Sequence, residues 1–354
     1  MLNIRGLLTA SLATLLAACS PADPQQQVSA ALAREVMLPA YVAWAEASRQ
    51  LADSANGLCR GHQDIAGARQ TWLADQSRWA ALQPLAVGPL SEGNRAWQVQ
   101  FWPDKKNLVA RQVEMLLDSK PALGQADLDQ ASVVVQGLSA YEYVLFDPAI
   151  ARDDAAAKSR YCPLLIAIGQ HQRQLAGNLL ALWQGQDGMA AQLEGFPNSR
   201  YAQPAEAVAD ILRTQVTALD ALKKKLGTPL GRQNEARPQP YQAESWRSDA
   251  SLGNLAASLA SAQAVWQGRP DRGLRHLLQN SDSGLAERID SAYAVTRDTL
   301  AGMPASLNSL LASAAGRAQL THLYEQLDQL HRLHERELAK ALGVQLGFNA
   351  HDGD

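Results

Sequence analysis

From Val28 onward Ala, Leu, Gln, Arg and Glu dominate, and no segment alternates apolar and polar residues convincingly with period two. These residues lose little on entering a helix, and a half-buried strand needs the alternation that is missing. An all-α chain packed as helical bundles is the fold class that follows. The spacing predicts helices over residues 31–55 (bent by Pro39), 64–82, 104–117, 127–146, 163–184, 204–226, 249–267, 284–301 and 316–342. Asp104 and Asp127 stand as N-caps, Pro148 as a stop, and Gly185, Gly227 and Gly268 as C-terminal signals. Residues 185–203 carry Gly, Pro and Asn and read as a connection. It separates two helical-bundle domains, 28–185 and 186–354. Leu182-Trp183-Gln184-Gly185 and Val265-Trp266-Gln267-Gly268 end a helix in each half, as a diverged duplication would.

The 32 basic and 35 acidic residues leave a net charge of −3. No basic surplus exists to neutralise phosphates, which argues against a nucleic-acid partner. Three cysteines are too few for a disulfide-dense miniprotein or a Cys-rich zinc ribbon. No Walker loop, dinucleotide fingerprint, Gly-x-Ser-x-Gly elbow or haem-attachment motif is present.

Residues 1–18 carry Arg5, then an apolar run too short to span a bilayer, and end Leu16-Ala17-Ala18 before Cys19. This arrangement resembles the lipobox of bacterial lipoproteins and marks Cys19 for lipidation. Residues 19–27 read as a polar tether. The expected location is periplasm-facing and membrane-anchored through lipid. Ser20, where an Asp would favour the inner membrane, points to the outer one. With Cys19 lipidated, Cys59 and Cys162 are either a disulfide or two buried thiols.

Glu142 falls on the apolar face marked by Ala131, Val134, Val135, Leu138 and Leu145 of the helix predicted over 127–146. A carboxylate there requires a cation, a metal or hydrogen-bond donors. Such a residue is either a buried salt bridge or part of a functional site. Ser139 and Tyr143 are its helical neighbours. Gly137 weakens the helix with no local reason and suggests close approach of another backbone. Trp97 to Asn107 forms a second cluster that includes Trp102, Asp104 and Lys105, flanked by Arg95 and Arg111. It lines a polar pocket or covers a bundle mouth. Arg95, Arg111 or Lys105 is the expected partner of Glu142. His331 and Glu335 have metal-ligand spacing, but their charged surroundings read as a solvated face. Asp352 and Asp354 alone make at most a weak calcium site.

Together these residues resemble the imelysin-like proteins, which include an insulin-cleaving membrane protease and periplasmic proteins linked to iron uptake. The likeness is carried by residues 68–79 with two tryptophans, Gly88-Pro89, Phe101-Trp102-Pro103-Asp104, residues 137–146 and Arg160-Tyr161-Cys162. It continues through residues 248–252 and the tail from Gly347 to Asp354. It implies two helical bundles with a shared site between them, and adds Ser248 to that site. The family hallmark is Gly-x-His-x-x-Glu; here Gly137 and Glu142 match, but Ser139 stands at the histidine position. A hydroxyl is a poor substitute for imidazole as a zinc or iron ligand. The expectation is therefore a binding or accessory lipoprotein of iron acquisition, alongside other iron-uptake proteins, with no cofactor, no metal and no peptidase activity. The alternatives are a metal-dependent peptidase and an interaction scaffold.

Overall fold

The structure, a computed structural model, describes residues 23–346 except 153, 234–236, 279–281 and 305. Cys19 with its leader and the tail from Gly347, including Asp352 and Asp354, lie outside the described residues. Every regular element among the described residues is helical. No helix among them is long and apolar enough to cross a membrane.

In the N-terminal half, the long helices Leu38–Cys59, Ile65–Leu82 and Ala155–Gln184 pack together. In the C-terminal half, Pro204–Gly227, Ser251–Gln267, Ser283–Ala301 and Ala314–Arg332 do the same. Ser251–Gln267 lies against Ile65–Leu82 and joins the halves. Their buried apolar side chains form one contiguous core, in which Trp44, Trp72, Trp183 and Trp266 are the largest fully buried members. Gly169 permits a close approach of Ala155–Gln184 to Leu38–Cys59: a Cβ there would stand 2.9 Å from Ala52 Cα. A Cys59–Cys162 disulfide, Cα to Cα 5.6 Å, pins the end of Leu38–Cys59 to the early turns of Ala155–Gln184.

Several element boundaries differ from the sequence pattern. The first helical run starts before residue 31 and continues through Pro39. Helical structure runs from Pro24 to Cys59, with a widened turn at Ala33–Met37. That turn lies where the proline ring would otherwise meet the preceding carbonyls. Ala155–Gln184 starts eight residues before Pro163, because Asp154 caps it through the Ala156 N–H and three alanines follow. Leu108–Ser119 begins four residues after Asp104, whose carboxylate still accepts from the Leu108 N–H at 2.6 Å.

The predicted 127–146 helix is three pieces: Gln125–Asp129, Val133–Gln136 and Leu138–Phe146. Gly137 stands extended between the last two. A Cβ at Gly137 would meet the Val99 carbonyl oxygen at 2.4 Å. The glycine is there because the 95–99 backbone crosses it, and the turn that crosses it cannot remain helical. Gln136 bridges the earlier break, between Gln125–Asp129 and Val133–Gln136, by donating to the Leu128 and Ala131 carbonyls, each at 3.0 Å.

Candidate functional site

Glu142 lies in Leu138–Phe146 and is only 4% exposed. The helix is enclosed on nearly all sides, so burial of Glu142 does not depend on a single apolar stripe. Its Oε1 accepts from both the backbone N–H and the hydroxyl of Ser248, each at 2.8 Å. Ser248 sits in the short segment before Ser251–Gln267. Two left-handed residues, Ser245 and Asp249, fold that segment back on itself. The Ser245 carbonyl accepts the Ala250 N–H at 3.2 Å, and the Ser245 hydroxyl accepts from Asn254 at 3.1 Å. The loop is therefore fixed before it meets the carboxylate. Burial pushes the Glu142 carboxyl up to about 7, with the Ser248 bonds and the Arg247 charge opposing the shift.

Arg247 is the nearby cation. Its side chain is 3% exposed, and its Nε donates to Asp147 at 2.9 Å. A terminal nitrogen donates to Asn107 Oδ1 at 2.7 Å. The guanidinium carbon lies 4.4 Å from the Trp246 ring centroid and 5.2 Å from that of Tyr143. One arginine of the C-terminal half thus engages several side chains of the N-terminal half. The sequence pattern started this segment two residues late, at Ser248, and so missed Arg247 and Trp246.

The expected partners of Glu142 are corrected by the geometry. Arg95 is turned to the Pro89 carbonyl and Glu92. Arg111 and Lys105 are exposed and make no ion pair among the described residues. All three are hydrophilic side chains with water available, whereas the Ser248 loop brings donors that need no desolvated charge. Ser139 donates to the Phe101 carbonyl at 2.8 Å. The Tyr143 hydroxyl points to Glu114 at 2.9 Å rather than to Glu142. Glu114 also receives Tyr161 and Arg160, each at 2.7 Å. Burial raises the Glu114 carboxyl, but these three donors together hold it below its ordinary value. Trp102 donates to the Gln242 carbonyl at 3.0 Å. It lines a separate cleft with Lys225 and Glu244, a buried ion pair at 2.6 Å.

Above Arg247 lies a cavity of about 460 Å³ lined by Asp104, Lys105, Lys106, Asn107, Tyr241 and Trp246, among others. It borders Arg247, the residue before Ser248, since Asn107 and Trp246 touch both the cavity and Arg247. The sequence placed Asp104 and Lys105 near this site; Tyr241 and Trp246 come from the proline-containing loop and its continuation.

The hallmark of the resembled family implies a metal held by histidine and glutamate. The residues present do not fit one. Ser139 Oγ is committed to a carbonyl, and Glu142 Oε1 to two donors beside a guanidinium. No group of three or more His, Cys, Asp or Glu among the described residues could hold a metal ion. The solvated face expected at His331 is also corrected. His331 is buried beside Lys223, and His334 packs fully buried against Trp266 and Tyr293. Burial lowers His334 to about 4. His331 lies in the last turn of Ala314–Arg332, and His334 lies in the π-helical turn Leu333–Leu338 that follows.

Comparison with known proteins agrees with this architecture. The family profile of imelysin, Peptidase_M75, matches residues 37–334. The iron-regulated protein A of Synechococcus elongatus is 24% identical over 331 residues, covering 88% of this chain and 86% of the relative. A crystal structure of an imelysin-like protein from Psychrobacter arcticum superposes with a TM-score of 0.75 at 24% identity, over 92% of this chain and 97% of that one. A protein from Parabacteroides distasonis, described as an iron-regulated protein A precursor, gives a TM-score of 0.72 at 16% identity, over 88% and 94% of the two chains. With a helical fold shared nearly end to end and the profile matched across most of its length, this chain belongs to the imelysin family.

Proposed function

We propose that this protein is a binding or accessory lipoprotein of iron acquisition, without peptidase activity. The observation that carries the reading is the state of the hallmark residues. The glutamate holds Ser248 of the opposite half, and the serine in the histidine position holds a backbone carbonyl. This is the chemistry of a latch between helix sets, with a ligand-sized cavity beside it. A hydrolytic centre would need an activated water or nucleophile. The link to iron is supported by the names of the relatives, which call them iron-regulated proteins. Anchoring through Cys19 on the periplasmic side, at the outer membrane, is supported by the leader and its small residues before the cysteine.

Deletion of the gene should slow growth when a chelator limits iron, and added iron salt should restore it. Unchanged growth of the deletion strain under chelation would remove the iron role. The purified protein, supplied with zinc or ferrous ion, should leave insulin B chain intact. Cleavage that disappears in Glu142→Ala would establish the peptidase instead.

A further inference from the structure

The cavity above Arg247 has a chemistry that the latch does not use. Lys105 and Lys106 stand exposed on its wall and make no ion pair or side-chain hydrogen bond among the described residues. The carboxylate on the same wall, Asp104, is engaged by the Leu108 and Val109 N–H groups at the start of Leu108–Ser119. Its charge is therefore offset by the positive end of that helix. The cavity thus carries two uncompensated ammonium groups. Two aromatic rings line the same cavity. Tyr241 is 69% exposed, and its ring meets Trp246 edge-on at 4.9 Å. Trp246 in turn lies against the Arg247 guanidinium, 4.4 Å from its ring centroid. A tyrosine left this open adds little to the core, but it offers a ring face to a ligand.

We infer that this cavity binds an anionic aromatic molecule, with its acid groups at Lys105 and Lys106 and its ring against Tyr241 and Trp246. The inference rests on the reading of the protein as a binding protein and names its ligand class. Within an iron role, the matching chemistry is an iron complex of aromatic dihydroxy acids, which is negatively charged and presents rings on its surface. The same chemistry is offered by the iron-free acid, and the experiment separates the two.

The test is titration of the purified full chain with four probes, followed by calorimetry or tryptophan quenching. The probes are 2,3-dihydroxybenzoate, its ferric complex, neutral catechol and ferric citrate. One-to-one saturation by an aromatic anion, at least tenfold tighter than both catechol and ferric citrate, supports the assignment. The Lys105→Gln/Lys106→Gln double variant should weaken that binding at least tenfold, and Tyr241→Ala about fivefold. Both variants change exposed side chains and should melt with the parent. Equal binding by the double variant overturns the site, and equal binding of ferric citrate overturns the aromatic part. If the iron-free acid binds as tightly as its ferric complex, the cavity assignment stands and the iron reading of the function loses its support.

Discussion

Glu142→Gln is the substitution that tests the central geometry most directly. The amide is nearly isosteric, and its oxygen can still accept from the Ser248 N–H and hydroxyl. What it removes is the titration. The Glu142 carboxyl is raised from 4.5 to about 7 in the folded protein, chiefly by burial. Between those values the folded chain holds one more proton than the unfolded chain, so stability falls as pH rises. The contribution is fully present below about 4.5 and lost as pH passes the folded value. The slope is about 1.4 kcal/mol per pH unit, and the whole span corresponds to roughly 3 kcal/mol. Three partly or fully buried histidines act in the opposite sense. His171, His331 and His334 are all lowered, so they favour folding as pH rises toward 6.5. The raw profile therefore mixes both signs. Subtracting the variant from the parent, by urea melts between pH 4.5 and 8, cancels the histidines. The difference should fall across that window and flatten above about pH 7. A difference independent of pH would show that Glu142 ionises as an ordinary surface carboxylate, and the buried latch would be wrong.

Asp75→Asn should give a difference curve of the same sign, because burial raises the fully enclosed Asp75 to about 7 with only Ser48 as a donor among the described residues; a flat curve in chemical denaturation would refute it. Gly137→Ala should destabilise by about 3 kcal/mol or more, since its new carbon meets the Val99 carbonyl oxygen at 2.4 Å and must move backbone; a melting temperature equal to the parent's would contradict that crossing. Reduction of Cys59–Cys162, or Cys59→Ser with Cys162→Ser, opens a loop of 103 residues and should lower stability by up to about 4.7 kcal/mol in the chain-entropy treatment, as read from denaturant midpoints with and without reductant. Ser139→His adds one imidazole near one carboxylate, and no third ligand stands ready among the described residues. Zinc binding by calorimetry should stay weak, and a tight one-to-one site would reveal a ligand that this geometry does not offer.

The sequence by itself determined the helical class, the interior position of Glu142 and the need for compensation there. It did so because propensity, apolar spacing and the cost of a buried charge are local quantities that each residue carries with it. It also marked Gly137 as a site of backbone approach. The tertiary structure alone decided who meets whom. Glu142 and Ser248 are separated by 106 residues, and no periodicity links them. The nearer arginines and lysine looked adequate as partners, but they keep their hydration, while a strained loop delivers a hydroxyl and an N–H to the carboxylate. The same holds for Arg247, whose partners Asp147 and Asn107 come from the other half. Even the broken 127–146 helix was decided from outside, by the Val99 backbone crossing at Gly137. Local pattern fixes which groups must be satisfied, and only packing of distant segments fixes which groups satisfy them.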